Sequence, residues 1–259
     1  FPGKSRHGTE LADVASFLLV AGGCVVYLGC AGVYAYFGAY IDGNTLYDDL
    51  AADRMYGYSA FVENHIVYPM LAYQAWNLVA SMLMNEFRGI QMIVHHVLTG
   101  SLGYFGLYPY LHFQGLFFFG VTEVTNIPLT AVDFFKQFKN YAKAYPGVYS
   151  ASRTIFGVSF ILVRLIWWPI VCYSFWKDSI ELYMSGNAHS NFVVLAFLVA
   201  NILLTGLQFI WGRLIVAAVL GSGEKAASKT SKKKSKHSFR VMDIQLFLRP
   251  TVFSRRHSG

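Results

Sequence analysis

A histidine pair and a carboxylate lie in stretches of this chain that are otherwise apolar. His95 and His96 are adjacent, and Glu123 precedes Asn126 by three residues, so Glu123 and Asn126 share one helix face. A neutral histidine accepts a proton from an attacking amine or hydroxyl while a carboxylate orients or charges it. Such groups suit acyl transfer from a thioester, and His95, His96 and Glu123 are the candidate catalytic residues.

Further polar side chains extend this set to a candidate lipid-binding cavity. Arg164 lies in the middle of the fifth apolar stretch, and a charge held in hydrocarbon usually faces a cavity, a partner or a site. A structural alternative stays open, in which Glu123 and Arg164 pair inside the bundle and the histidines bond to neighbouring helices. The cavity candidates beside the catalytic ones are Thr99, Asn126, Arg164, Tyr73, Trp76 and Asn77.

Six apolar stretches carry these residues, and each is long enough to cross a bilayer, which takes about 20 apolar residues. We therefore predict an all-α, multi-pass integral membrane protein with six transmembrane helices in one bundle. Helix rise places the histidines, Glu123, Asn126 and Arg164 roughly 10 to 18 Å from one membrane surface. They converge on one cavity if their helices are close. The stretches are 14–40, 66–84, 89–108, 111–135, 152–175 and 192–220.

The composition agrees with this class. Of the 259 residues 55% are hydrophobic and 14% are charged, against about 25% charged in soluble domains. The predicted organisation has three parts. Residues 1–52 form an N-terminal segment with the first transmembrane helix and an acidic loop, 53–220 hold five further transmembrane helices, and 221–259 are a basic tail.

Lysine and arginine lie mainly on one side of the predicted membrane, and such a bias marks the cytosolic side. Both termini are therefore expected to be cytosolic, or on the equivalent side of an organelle membrane. Next to a final span, the basic tail is expected to bind an anionic leaflet rather than nucleic acid. Residues 239–248 are predicted to form an interfacial helix. The basic side holds Lys4, Arg6, Arg88, Lys136, Lys139, Lys143 and the tail from Lys225.

Two features concern the helices themselves. The first apolar stretch is rich in glycine, which permits close helix approach, and Pro128 predicts one kink or break in the fourth stretch. The glycines of the first stretch are Gly22, Gly23, Gly29 and Gly32.

Neither a metal nor a resident cofactor is expected. The 8 histidines are scattered and form no repeated histidine boxes, and Cys24, Cys30 and Cys172 form no C-x-x-C pair. No predicted span holds a lysine for a retinal Schiff base, and rings of charged pore residues are absent. Di-iron oxidation, retinal binding and ion conduction are therefore not expected.

From about Asp53 to Leu220 the sequence resembles the TLC-domain family, the membrane module of TRAM, LAG1 ceramide synthase and CLN8 proteins. The landmarks are RMYGYSAFVENH (54–65), YQAWN (73–77), HHVLT (95–99), FQGLFFFGVTEVTNIP (113–128) and FGVSFILVRLIWWP (156–169). The resemblance implies a lipid-facing cavity and a role in sphingolipid or phospholipid homeostasis. It also implies the endoplasmic reticulum as the membrane, with a mitochondrial or plastid inner membrane as the alternative.

The ceramide synthase signature is similar to His-His-x-x-Thr, then Gly, then Asp-x-x-Asp. His95, His96, Thr99 and Gly115 match it, but its two aspartates correspond to Glu123 and Asn126, and Thr122 replaces a histidine. In this respect the sequence is similar to the family members that are not ceramide synthases, and the missing aspartates weigh against acyl transfer.

Three functions follow as hypotheses. The first is lipid binding or handling in the polar cavity, with membrane lipids as partners. The second is N-acylation of a sphingoid base, with acyl-CoA as substrate rather than cofactor. The third is a non-catalytic accessory subunit of a larger membrane complex, in which aromatic surfaces such as Phe117, Phe118 and Phe119 contact other subunits.

Overall fold

The computed structural model describes residues 3–5, 7–42, 50–108 and 110–231, and for 39–42 and 218–231 the backbone alone. These residues are helical apart from loops and one isolated bridge between Lys4 and Glu10. The predicted all-α class is confirmed. The predicted interfacial helix 239–248 lies outside the described residues.

Eight helices, α1 to α8, follow one another along the described chain, and three of them contain turns of other geometry. α1 is Leu11–Asp42, α2 is Ala51–Tyr56, and α3 runs through Ala60–Val62, Glu63–Val67 and Tyr68–Leu83. α4 is Ile90–Phe105, and α5 runs through His112–Gly115, Leu116–Gly120, Val121–Thr125 and Asn126–Gln137. α6 is Lys139–Ala144, α7 runs through Pro146–Phe160, Ile161–Trp167 and Trp168–Met184, and α8 is Asn191–Ser231.

Four stretches of the described chain are long and apolar enough to span a membrane: Leu11–Gly38, His112–Gln137, Pro146–Met184 and Asn191–Ala217. They belong to α1, α5, α7 and α8. The predicted count of six is therefore not confirmed. The 16 residues of α4 reach about 24 Å, against a hydrocarbon thickness of about 30 Å. The apolar residues of α3 are interspersed with the polar residues Gln74 and Asn77.

The six longer helices close into a ring. α1 packs against α3 and α5, α3 packs against α4, α4 packs against α8, α8 packs against α7, and α7 packs against α5. The third and fourth predicted spans are therefore not adjacent but face each other across the centre. The ring brings their polar residues together around a central cavity.

Each helix with irregular turns has a proline just after them. Glu63–Val67, Leu116–Gly120 and Ile161–Trp167 are π-helical and Val121–Thr125 is 3-10. Proline lacks the N–H that would bond the carbonyl four residues earlier, and Pro69, Pro128 and Pro169 each leave such a carbonyl within an irregular segment. One break, near Pro128, was predicted from sequence, whereas the structure has three.

The glycines of α1 allow it to touch the irregular part of α5. A Cβ on Gly32 would lie 2.3 Å from the Gly120 Cα, and one on Gly29 would lie 3.2 Å from the Val124 N. Gly23, by contrast, has nothing within 4 Å of its Cβ position. The predicted close approach thus occurs on one face of α1, directly behind the segment that carries Glu123.

Side-chain hydrogen bonds join α7 to α8. Trp168 Nε1 donates to Thr205 Oγ1 at 2.9 Å, and Trp176 Nε1 donates to Asn201 Oδ1 at 3.0 Å. Arg164 continues this row one turn away by donating to Gln208 at 3.4 Å. Buried polar groups need such partners, so the row fixes how α7 and α8 are aligned.

A buried ion pair lies at the end of the ring opposite the predicted basic side. Arg54 of α2 donates from Nε to Asp178 Oδ2 at 2.9 Å and from Nη2 to Oδ1 at 2.6 Å. Asp178 is only 1% exposed, and Gln114 also donates to its Oδ2. A two-point arginine–carboxylate contact is geometrically specific, so it holds α2 against α7 at this end.

Candidate functional site

A cavity of about 610 Å³ lies inside the ring and is lined by all six longer helices. Of the residues predicted from sequence, seven line it: Tyr73, Asn77, His95, His96, Glu123, Asn126 and Arg164. Thr99 lines a smaller neighbouring hollow. Trp76 is placed outside both, stacked on Phe17 with ring centroids 5.2 Å apart.

His96 is held in one tautomer by Gln74 of α3. Its Nδ1 lies 2.6 Å from Gln74 Oε1, and because a carbonyl oxygen only accepts, Nδ1 carries the proton. The amide of Gln74 is oriented by its own bond from Nε2 to the Met70 sulfur at 3.0 Å. A neutral imidazole then has its lone pair on Nε2, and His96 Nε2 is buried without a protein partner.

His95 lies beside His96 in the same wall. The two ring centroids are 5.4 Å apart, and the Trp211 ring meets His95 edge-on at 6.1 Å. His95 Nδ1 is also buried without a protein partner. Thr99 donates to the His95 carbonyl at 2.7 Å, so its hydroxyl is engaged by the helix that carries the pair.

Arg164 enters the ring from the π-helical turn of α7 and is only 6% exposed. Its Nε donates to Thr125 Oγ1 at 2.8 Å, and its Nη2 donates to the Thr122 carbonyl at 3.0 Å. Its Nη1 donates to Gln208 Oε1 at 3.4 Å. The guanidinium therefore ties α7 to the irregular turn of α5 and to α8.

Asn126 stands between Glu123 and Arg164. Its Nδ2 donates to Glu123 Oε2 at 2.8 Å, and its Oδ1 accepts from Arg164 Nη2 at 3.5 Å. No ion pair within 4 Å joins Glu123 to Arg164 in the described part of the chain. The structural alternative of direct pairing is replaced by an amide bridge, and Glu123 and Arg164 both still line the cavity.

A second, smaller space of about 40 Å³ lies next to the main cavity. His95, Glu123 and Arg164 line both spaces, so these polar groups form the boundary between them. The walls of the smaller space are otherwise mostly apolar, with Phe118 and Leu204 among them.

The lining of the main cavity continues to the basic end of the ring, where exposed Asn85 and Arg88 contribute to it. Lys136 also lines this end and pairs with Asp133 at 2.9 Å. Charged and polar groups thus occur at this end and at the boundary with the smaller space. Apolar side chains such as Leu18, Val25 and Phe160 line the wall as well.

The N-terminal segment, residues 3–5 and 7–10, lies at this end of the cavity and is anchored to buried Glu86. Ser5 and Thr9 both donate to the Glu86 carboxylate, and His7 contributes to the cavity lining. Burial, the largest influence, would raise the pKa of Glu86. The hydrogen bonds from Ser5, Thr9 and the backbone outweigh it, so this pKa lies below its ordinary value.

Side chains that could bind a metal are dispersed among the described residues. None of them form a group of three or more His, Cys, Asp and Glu side chains that could hold a metal. Cys24, Cys30 and Cys172 are free thiols, and Cys172 contacts Asn201 in the row between α7 and α8.

Three polar residues that orient the site were not among the candidates found from sequence: Gln74, Thr125 and Gln208. Each is nearly fully buried. An amide inside an apolar stretch is the signal that could have indicated Gln74 and Gln208, because buried amides need partners. Nothing in the sequence distinguishes Thr125 from the other threonines that bond to their own helix.

The family model of the TLC domain, which covers the TRAM, LAG1 and CLN8 proteins, matches residues 19–217. The match begins earlier than the resemblance seen from about Asp53, because it includes α1. This agrees with the ring, which α1 closes between α3 and α5. No curated protein and no solved structure matches the chain.

Proposed function

The chain belongs to the TLC domain family, and from that premise we propose that it binds a membrane lipid inside the ring. The polar end of the lipid lies at His96, Glu123 and Asn126, and its acyl chains lie against the apolar wall. The protein is an integral membrane protein, so lipids are present at high local concentration in the bilayer around it.

The cavity itself carries this proposal. Its volume of about 610 Å³ lies within the range of about 300 to 1,000 Å³ typical of small-molecule sites. Its wall combines apolar side chains with polar groups that converge from several helices, and ligand sites likewise combine an apolar lining with placed polar groups.

The unpartnered imidazole nitrogens support the same conclusion. His95 Nδ1 and His96 Nε2 are buried and have no protein partner. Leaving a buried polar atom unsatisfied costs about 1–3 kcal/mol. A ligand headgroup in the cavity would recover part of that cost.

The test is the lipid that copurifies with the full chain in mild detergent, measured by mass spectrometry per mole of protein. Ala21 lines the cavity, so Ala21→Trp should fill it and lower the bound lipid severalfold. Ala72 is exposed on α3, and Ala72→Trp is the matched control. Equal lipid content in Ala21→Trp and the control would overturn the proposal.

A second candidate function is acyl transfer, and the tautomer of His96 favours it. With Nδ1–H bonded to Gln74, Nε2 is free to accept the proton of an attacking amine. The amine nitrogen would bond to the thioester carbonyl carbon, the C–S bond would break, and the thiolate would leave and take up the proton. The product is an amide.

Labelled acyl-CoA and sphinganine test this candidate with purified protein. Amide formation should depend on His96 and survive His65→Ala, because His65 is an exposed histidine of α3. If product formation by the wild type does not exceed that of His96→Ala, acyl transfer to sphinganine is excluded and the binding proposal is unaffected.

A further inference from the structure

We infer that the cavity selects a neutral lipid whose headgroup carries a free hydroxyl, such as a diacylglycerol, over a lipid with a phosphate headgroup. The inference rests on the proposed lipid binding and specifies the ligand class for the same site. Its basis is the balance of hydrogen-bond donors and acceptors that the protein leaves unused in the cavity wall.

His96 lines the cavity and keeps one acceptor without a protein partner. Its Nδ1–H is taken by Gln74 at 2.6 Å, and the Gln74 amide is itself held by Met70. The remaining Nε2 is buried, and His96 is 4% exposed. A neutral imidazole in this tautomer needs a donor at Nε2, which a hydroxyl supplies and a phosphodiester does not.

Glu123 presents further acceptor capacity. Asn126 donates to its Oε2 at 2.8 Å, and a carboxylate has about four lone-pair sites. Glu123 is buried and lines the cavity. An anionic headgroup placed here would meet a carboxylate and an imidazole lone pair, and both repel it.

Arg164, the basic residue at this depth, is largely engaged by the protein. Four of its five N–H groups donate to Thr125, Thr122, Gln208 and Asn126. At the basic end Lys136 is paired with Asp133. Arg88 is exposed and lines the cavity at the same end. Beside His96 and Glu123 the cationic donors are therefore mostly committed, whereas acceptors remain open, so this part of the site favours a donating headgroup.

The test uses three lipids with the same short brominated acyl chains: a diacylglycerol, its methyl ether and a phosphatidylmethanol. Bromine quenches tryptophan on contact, and Trp211 lines the cavity beside His95. Quenching is titrated with the full chain in detergent, and the part lost in Trp211→Phe is the cavity signal. The methyl ether keeps the shape of the diacylglycerol and removes the donor.

The diacylglycerol should bind about tenfold more tightly than either of the other two, as expected for one hydrogen bond and the cost of leaving an acceptor unpaired. His96→Phe should abolish this preference. Gln74→Leu keeps the imidazole but removes the hydrogen bond that fixes its proton on Nδ1, so it should reduce the preference for the diacylglycerol. This second variant tests the inference if His96→Phe does not fold.

The outcomes separate the two claims. Equal affinity for the diacylglycerol and its ether, or tighter binding of the phosphatidylmethanol, overturns the headgroup inference and leaves lipid binding standing. If none of the three lipids causes quenching that is lost in Trp211→Phe, the headgroup inference and the lipid-binding proposal are both overturned.

Discussion

The side-chain amide of Asn126 donates a hydrogen bond of 2.8 Å to the carboxylate of Glu123. The same amide accepts from Arg164 through its oxygen, so a neutral group separates the two opposite charges. A carboxylate at position 126 could not donate in this way. The amide therefore allows Glu123 and Arg164 both to line the cavity while each is partly satisfied.

Asn126→Leu removes both of these hydrogen bonds while keeping a similar volume. We expect a loss of about 1–3 kcal/mol of stability, because Glu123 and Arg164 each lose a buried partner. The thermal midpoint of the purified protein, followed by tryptophan fluorescence, measures this loss. Asn64 is exposed and bonds within its own helix, so Asn64→Leu should leave the midpoint nearly unchanged. Similar midpoints for the two variants would contradict the bridging role.

Gly32→Ala should destabilise the ring much more than Gly23→Ala. The added methyl at Gly32 meets the Gly120 Cα at 2.3 Å, whereas nothing lies within 4 Å of the corresponding position at Gly23. Forcing extra atoms into a packed interface costs about 1–3 kcal/mol, and the removal of helical glycine would by itself be favourable. Thermal unfolding of the two variants decides the matter, and equal midpoints would show that α1 does not press on α5.

The polar residues of the site were predictable because ionisable groups inside apolar stretches are uncommon. His95, His96, Glu123 and Arg164 were found in this way, and they line one cavity. Their partners were not predictable, since the bond between His96 and Gln74 depends on how α3 and α4 face each other. The ring order determines that orientation, and helix periodicity alone does not contain it.

The helix geometry was predictable in part. Pro128 indicated the irregular turn of α5, and the same reasoning applied to Pro69 and Pro169 would have indicated those of α3 and α7. The predicted number of six spans is not confirmed. A count of apolar residues does not show that α4 has only 16 residues. It also does not show that Gln74, Asn77 and Ser81 of α3 are buried inside the ring.

The basic end of the ring is predicted to face the cytosol, because lysine and arginine accumulate there. Asn85 and Asn187 are exposed near opposite ends of the ring. After the three natural cysteines are replaced, a single cysteine at either position shows which side of the membrane that end faces. A membrane-impermeant maleimide should label Asn85→Cys once the plasma membrane alone is opened. Asn187→Cys should require opening of the internal membrane as well, and the reverse pattern would contradict the orientation.

Acidification should release the N-terminal segment from Glu86. The pKa of Glu86 is lowered in the folded protein, so its contribution to stability is complete above the unfolded value of about 4.3. It is lost as pH falls below that value through the folded pKa. Hydrogen exchange of residues 3–5 and 7–10 should accordingly rise in this acidic range.

Glu86→Gln should show fast exchange of this segment already at neutral pH, because a neutral amide is a weaker acceptor than a carboxylate for the Ser5 and Thr9 hydroxyls. Glu10→Gln is the control, since the Glu10 side chain forms an exposed pair with Lys4 at 3.6 Å in the described part of the chain, and such pairs contribute about 0–1 kcal/mol. Slow exchange in Glu86→Gln at neutral pH would show that other contacts hold the segment over the cavity.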